Sequence, residues 1–401
     1  MASGADVVVI GGGVVGTSIA FHLARLGAGS VTLLERSPGL AAGATGRSGA
    51  LVRTHYTNAP EAAMAQAALP WFEGWADRVG GACGFVRTGF LQVVDAADTA
   101  LLKENTAVLQ GLGVDTRVVD AAEARALEPG LAIADGEFAA YEPRSGYADP
   151  VATTESLAAA ARRLGVEIRL GSVVRGLCGS GSRVTGVKTA RDMIAADIVV
   201  VANGCWSVPL LARIGVKLPI EAHRAQRTVV ARPPEMRGER GHLTVIDRRT
   251  GVYTRPHGVD GTLVGLSRAA DRLASPDGVD VEPGFPERAR DRLALTFPAF
   301  AGAAITLSKA GPLDVTPDHC ALIGPVEGMD GIVLAAGMSG SGFKKAPAIG
   351  ACVAELIVEG AATTAPIEAF DPARFTRGAG VERRDYTVGG EDDTSRDALV
   401  H

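Results

Sequence analysis

The chain has 401 residues, of which 47% are hydrophobic, and a formal net charge of −5. That length allows two domains and a large core, and the mildly acidic balance offers no basic face for nucleic acid. Its five cysteines (Cys83, Cys178, Cys205, Cys320 and Cys352) are scattered with no C-x-x-C pair, and its seven histidines lack metal-ligand spacing; this argues against a disulfide framework or a zinc site and suits a reducing compartment.

The clearest pattern comes first in the chain. Val7 to Ile10 is a short apolar run, as expected of a strand buried on both faces. Gly11, Gly13 and Gly16 follow as G-x-G-x-x-G, with Val14 and Val15 between the last two. The first glycine permits a tight turn, the second a close approach of pyrophosphate, and the third close packing of helix on strand. Val15, Ile19, Leu23 and Leu26 recur at helical spacing. A helix therefore starts where an anion would sit, with its dipole and free N–H groups favouring phosphate. Val31 to Leu34 reads as the second strand, ended by Glu35, an acid placed to bond ribose hydroxyls. The unit binds a dinucleotide, or is a βαβ unit with tight turns alone; the motif does not distinguish NAD from FAD.

Further along, residues 59–79 read as a helix containing Pro70, and residues 84–94 alternate like strands. A helix over "DTALLKENTAVLQGLG" and a short one in "VVDAAEARALEPGL" precede a turn-rich crossing at 141–150. Helix, turn and strand come next, then a second buried strand in "ADIVVVANGCWS" (196–207). From Pro219 to about Gly265 the pattern is strand-rich; 287–297 is helical, and 330–360 is again strand, glycine turn and helix. After about residue 373 the chain turns polar with few apolar anchors, as expected of a mobile tail. No apolar run approaches twenty residues, so no transmembrane helix is expected. The first strand begins almost at Met1, leaving no room for a signal peptide, and the expected location is cytoplasmic.

The nucleotide-binding pattern thus recurs at three places, with two strand-rich insertions between them. One domain is expected from residues 1–84, 147–216 and 312–372, and a second from 85–146 and 217–311, followed by a polar tail over 373–401.

Taken in order, "VVVIGGGVVG", "ATGRSGALVR", "GSVVRGL", "VVVANGCWS" and "LAAGMSGSGFKKAPAIG" resemble the FAD-dependent amine oxidoreductases, relatives of monomeric sarcosine oxidase, the sarcosine oxidase β subunit and glycine oxidase. The resemblance spans roughly residues 5 to 370. It implies an α/β fold with an α+β insertion: a Rossmann-like FAD-binding domain and a substrate domain on a mixed, largely antiparallel sheet. It also decides for FAD. The resemblance assigns Gly11, Gly13, Val14, Val15, Gly16, Glu35 and Arg36 to the ADP grip. It assigns Ala44, Arg47, Ser48, Gly49 and Ala50 to a loop along the flavin, and Val173 to a backbone contact with adenine. Ala202, Gly204 and Trp206 match a turn near the phosphates, although Trp206 also suits core packing. Gly337, Met338, Gly340, Gly342, Phe343 and Lys344 match a turn approaching the flavin ring, where a helix N-terminus would favour the negative charge of reduction.

On the substrate side the resemblance pairs Arg53 with Lys344 as carboxylate ligands; either could instead be a salt-bridge partner. Lys345 has a weaker claim. Tyr253 matches an aromatic that closes the pocket, Arg255 and His257 lie beside it and could face either way, and His55 and Tyr56 are further pocket candidates with a weaker claim than Arg53. Three departures matter. Gly311 stands where the sarcosine oxidase branch attaches flavin through Cys, Cys320 is a poor substitute, and "ATGRSG" lacks the His used by dehydrogenase relatives; FAD is expected to be non-covalent. Leu313 stands where glycine oxidase relatives carry a carboxylate-binding Arg. No lysine occurs between Lys217 and Lys309, the region that supplies an oxygen-activating Lys in sarcosine oxidases, so Arg255, His257 or another electron route must serve.

The implied chemistry is oxidation of a C–N bond in a small amino acid or secondary amine by hydride transfer to flavin N5, with reoxidation by O2 to H2O2. The alternative is an FAD dehydrogenase, or a complex subunit passing electrons to a protein or quinone. The expected partners are a small amine or amino-acid substrate and O2 or another acceptor. An oligomer or an electron-acceptor protein is left open, and nucleic acid, membrane and metal are not expected.

Overall fold

The computed structural model describes residues 3–237, 241–267 and 271–389. Two eight-stranded sheets organise it. In the first, the strands Val31–Leu34, Ser3–Ile10, Met193–Val201 and Met329–Ala336 run parallel. Their apolar runs are buried, with Val8, Val9, Val199 and Val200 fully enclosed, because helices cover the sheet. In the second sheet every neighbouring pair is antiparallel except Thr244–Asp247 beside Phe90–Val94. The fold is therefore α/β with a Rossmann-like parallel sheet and a second, largely antiparallel sheet.

The helices Val14–Arg25 and Gly342–Val358 pack against each other over the first sheet. They cross closely because Gly350 presents no side chain: a Cβ there would overlap the Ser18 hydroxyl. Both helices begin where a parallel strand ends, at Ile10 and at Ala336. Their N-termini therefore open on the carboxyl edge of the sheet, where ligands of such folds bind. The helix Ala59–Glu73 runs through Pro70 and stops at Gly74. Its first turn carries Glu61, which forms an ion pair with Lys345 of Gly342–Val358; both side chains are buried. Among the described residues no helix is long and apolar enough to cross a membrane.

The segment expected to be a mobile tail is packed as far as Gly389. Tyr386 is buried with Val94, Leu102 and Ala140, and Val388 is buried as well. Arg374 donates to both carboxylate oxygens of Asp318, each at 2.8 Å, and to the carbonyls of Cys320 and Ala321. Apolar density failed as a guide because two anchors and a run of polar contacts fix this stretch. Residues 390–401 of the tail lie outside the described residues.

Breaking the buried pair leaves one charge stranded. Lys345→Met is expected to lower the apparent unfolding free energy in urea by about 3–5 kcal/mol, and Glu61→Met with Lys345→Met to recover most of it.

Candidate active site

A groove follows the carboxyl edge of the first sheet, between the first-turn amides of Val14–Arg25 and the second sheet. Gly11, at φ 117°, makes the turn out of the first strand and lies against Ala202. Gly16 does not line this groove; a Cβ there would overlap the Gly11 carbonyl, so it sets how closely helix and strand pack. Gly12 donates to Glu35 Oε2 at 2.7 Å and Ser37 to Glu35 Oε1 at 2.8 Å. A carboxylate has about four acceptor positions, so Glu35 keeps capacity for ribose hydroxyls. Thr45 Oγ1 accepts from Val14 N at 3.2 Å, at the anion end of the helix.

One end of the groove is walled by Arg36 and Trp206, the guanidinium lying 3.9 Å from the ring centroid. Asp277 accepts from Arg36 at 2.9 Å and from Trp206 Nε1 at 3.1 Å. Trp206 is half-buried over Gly43 and faces the groove, not the core. Ser172 and Val173 line the same end.

The middle is the loop Ala44–Gly49. Arg47 folds back on the carbonyls of Ala42 and Gly43, and its stem fills the place a side chain at Gly311 would need. Two arginines of the second sheet hold this loop. Arg227 donates to Ser48 O, and to Gly46 O at 3.0 Å. Arg255 donates through Nε to Gly49 O at 2.6 Å and packs on the Tyr147 ring. Arg255 therefore stands behind the loop, and His257 is exposed at the end of its strand. Tyr253 does line the groove. Its ring lies over Gly265, directly opposite it in register, and against Gly49. Burial pushes its phenol up to about 12.

The final turn closes the other end. Met338, Gly340, Gly342 and Phe343 line it. Gly337, at φ 68°, shapes it: Asp314 accepts from Gly337 N at 2.7 Å and from Met338 N at 3.1 Å. Asp314 is buried on the groove, which raises its carboxyl pKa. Ala50, at φ 53°, is buried behind the loop.

Behind this end, Arg53 and Lys344 converge on one ring. Arg53 lies 4.6 Å from the Tyr56 centroid and 5.8 Å from that of Phe90, and Lys344 Nζ lies 5.8 Å from Tyr56. Both side chains are buried and neither lines the groove itself. Burial above all, then Arg53 and Lys345, holds the Lys344 ammonium well below its usual pKa, opposed by Glu61. Lys345 faces the same ring but is committed to Glu61. On the far side of Arg53's segment, Glu142 accepts from Thr54 N, Thr54 Oγ1 and Ser145 Oγ, and burial raises its pKa.

Sequence reasoning missed Asp314, Arg227 and Asp277. Asp314 stands next to Leu313, but its partners are amides of a turn more than twenty residues later. Arg227 and Asp277 carry no local motif at all.

The groove suits a long dinucleotide. Helix-terminal amides lie at its centre, and Gly13 and Gly43 keep its floor clear: added Cβ atoms would approach Thr45 Oγ1 to 3.0 Å and the Trp206 ring to 3.6 Å. Among known proteins, 4-methylaminobutanoate oxidase (formaldehyde-forming) of Paenarthrobacter nicotinovorans is 28% identical over 364 residues, covering 88% of this chain and 43% of that protein. Mitochondrial dimethylglycine dehydrogenase of Rattus norvegicus is 26% identical, covering 92% and 45%. The chain thus spans less than half the length of these relatives. The crystal structure of L-proline dehydrogenase from P. horikoshii superposes with a TM-score of 0.87 at 28% identity, covering 95% of this chain and all of that one. Glycine oxidase from Geobacillus kaustophilus gives 0.80 at 25% identity, covering 93% and 99%. The sequence profile of the FAD dependent oxidoreductases (DAO) matches residues 6–356, and the chain belongs to this family of FAD-dependent oxidoreductases.

Proposed function

We propose that this chain oxidises the C–N bond of a small amine or amino acid bearing a carboxylate, which Arg53 and Lys344 bind just behind the inner end of the groove. The observation that carries this reading is the convergence of those two buried cations on the Tyr56 ring, just beyond Phe343 of the final turn. Arginine offers a planar fork to a carboxylate and lysine a point charge, so the pair fixes both the position and the orientation of a small anion. FAD, when bound, supplies the acceptor for the hydride leaving the substrate's α-carbon. The amine must be neutral for its lone pair to assist that departure, and the positive surroundings of Arg53 and Lys344 lower its pKa. Tyr253, seated over Gly49 and Gly265, walls the groove and limits water. The imine product hydrolyses to a carbonyl compound and the released amine. Positioning and field do the work here, with no protein nucleophile.

The same reading keeps FAD non-covalent. A side chain at Gly311 would overlap Arg47, and Cys320 is buried away from the groove with its thiol pushed up by burial. Arg36, Glu35, the loop Ala44–Gly49 and the final turn are proposed to hold the cofactor from adenosine to ring. For reoxidation, O2 is favoured by the buried cations Arg227 and Arg255 behind the loop. A protein or quinone acceptor is favoured by the lack of lysine between Lys217 and Lys309.

Arg53→Ala and Lys344→Ala are each expected to lower kcat/KM for carboxylated amines by about 2–4 kcal/mol in transition-state terms, with little effect on amines lacking the group. Unchanged kinetics in both variants would refute the assignment. A simple carboxylate such as acetate, titrated by its perturbation of the flavin spectrum, should bind best while Lys344 is charged. Its affinity should fall as pH rises through the depressed lysine pKa, well below 10.5, and stay flat in Lys344→Arg. Mixing substrate-reduced protein with aerated buffer decides the acceptor: reoxidation as fast as turnover supports O2, and reoxidation far slower supports another acceptor.

A further inference from the structure

The segment that carries Arg53 has no regular structure of its own. Residues 53–56 form a coil between the short strand Leu51–Val52 and the bend before the helix Ala59–Glu73. Its shape must come from what presses on it. One side is held by Glu142 through Thr54. The other side is covered by the C-terminal residues 384–389.

These residues grip both the coil and the second sheet. Arg384 N donates to Thr57 O at 3.1 Å, and the Thr57 hydroxyl donates to Asp385. Asn105 Nδ2 donates to Arg384 O at 3.1 Å, Thr387 N to Asp98 Oδ2 at 2.7 Å, and Gly389 N to Arg248 O at 2.7 Å. At the centre of this strap Tyr386 stacks on His55, with centroids 5.9 Å apart and planes at 30°, and its hydroxyl lies 2.9 Å from His55 Nε2. The main-chain carbonyl of His55 in turn accepts from the Arg53 guanidinium. His55 stays neutral, because burial, Arg53 and Arg248 hold its pKa down to about 3.

We propose that Tyr386 is a positioning residue for the substrate carboxylate: its bond to His55 fixes the carbonyl that aims Arg53. Tyr386 touches neither the groove nor the reacting atoms. It acts through one histidine on one guanidinium, so its loss should weaken carboxylate binding and leave the hydride step alone. This rests on the reading of Arg53 given above.

The test compares Tyr386→Phe, His55→Phe and the double variant with Arg53→Ala, all in the full chain with FAD bound. Tyr386→Phe keeps the stacked ring and loses only the hydroxyl. It should raise the Kd for acetate, read from the flavin spectrum, and the KM for a carboxylated amine roughly five- to tenfold, as expected for one lost buried hydrogen bond. The kcat at saturation, the kinetics of a carboxylate-free amine and the thermal midpoint should stay near wild type. His55→Phe should match it, and the double variant should add little, because both remove the same bond. Fully additive losses would overturn the proposal, as would equal losses for amines with and without a carboxylate. Acetate affinity unchanged in Tyr386→Phe but lost in Arg53→Ala would overturn the role of Tyr386 and leave that of Arg53 standing. Affinity unchanged in both would remove the Arg53 reading itself.

Discussion

The groove depends on a contact between layers: two arginines of the antiparallel sheet hold the carbonyls of a loop that belongs to the nucleotide edge. Arg227 takes Gly46 and Ser48, and Arg255 takes Gly49. The loop has no partner strand at these positions, and its oxygens would otherwise need water. Burial costs both guanidinium groups, lowering the pKa of Arg227 and bringing that of Arg255 to about 10. They remain charged at neutral pH because each makes several hydrogen bonds in its fixed plane. A loop shaped from one sheet and anchored to the other sets one wall of the groove and packs against Tyr253. A shift of the second sheet would therefore move the cofactor loop with it.

Much of the cofactor edge was legible from sequence because its determinants are local. A glycine turn, the helix behind it and the acid closing the next strand all fall within thirty-one residues, and each constrains backbone geometry that only a few residue types satisfy. The parallel sheet was legible for the same reason, since strands buried on both faces read as unbroken apolar runs. The resemblance carried the pairing of Arg53 with Lys344, and the fold does bring both to one ring.

What was not legible depends on partners far apart in the chain. Beside Tyr253 in the sequence, Arg255 could face the pocket or away from it. The strand places it behind the loop, where Gly49 supplies an acceptor about two hundred residues earlier in sequence. Trp206 could be core or groove until Arg36 and Asp277 were placed around it. The tail misled for a related reason. Its order rests on Tyr386 and on bonds to Thr57, Asp98 and Arg248, none of which leaves a periodic trace.

The same device recurs through the molecule. Arg232 holds the carbonyls of Gly258, Val259 and Gly261; Arg374 those of Cys320 and Ala321; Arg53 that of His55. A carbonyl satisfies the geometry of a guanidinium without neutralising it. Carbonyl contacts by themselves leave a guanidinium's charge in place; Arg374 is in addition paired with Asp318, as Lys345 is with Glu61. Near the inner end of the groove several cations gather. Burial above all lowers Arg248, to about 10, and Lys344; Arg53 adds to both shifts, opposed at Arg248 by Asp385 and at Lys344 by Glu61. Two buried carboxyls act there as well: Glu61, which is paired with Lys345 and opposes the lowering of Lys344, and Glu142, whose pKa burial raises. Hydrogen-bonding demands of the loops thus place several arginines in the interior, where fixed charge acts more strongly than in water. Such charge would favour the carboxylated substrate proposed above and the reduction of a bound flavin. The loop architecture and the chemistry are in that sense one property of where this chain buries its arginines.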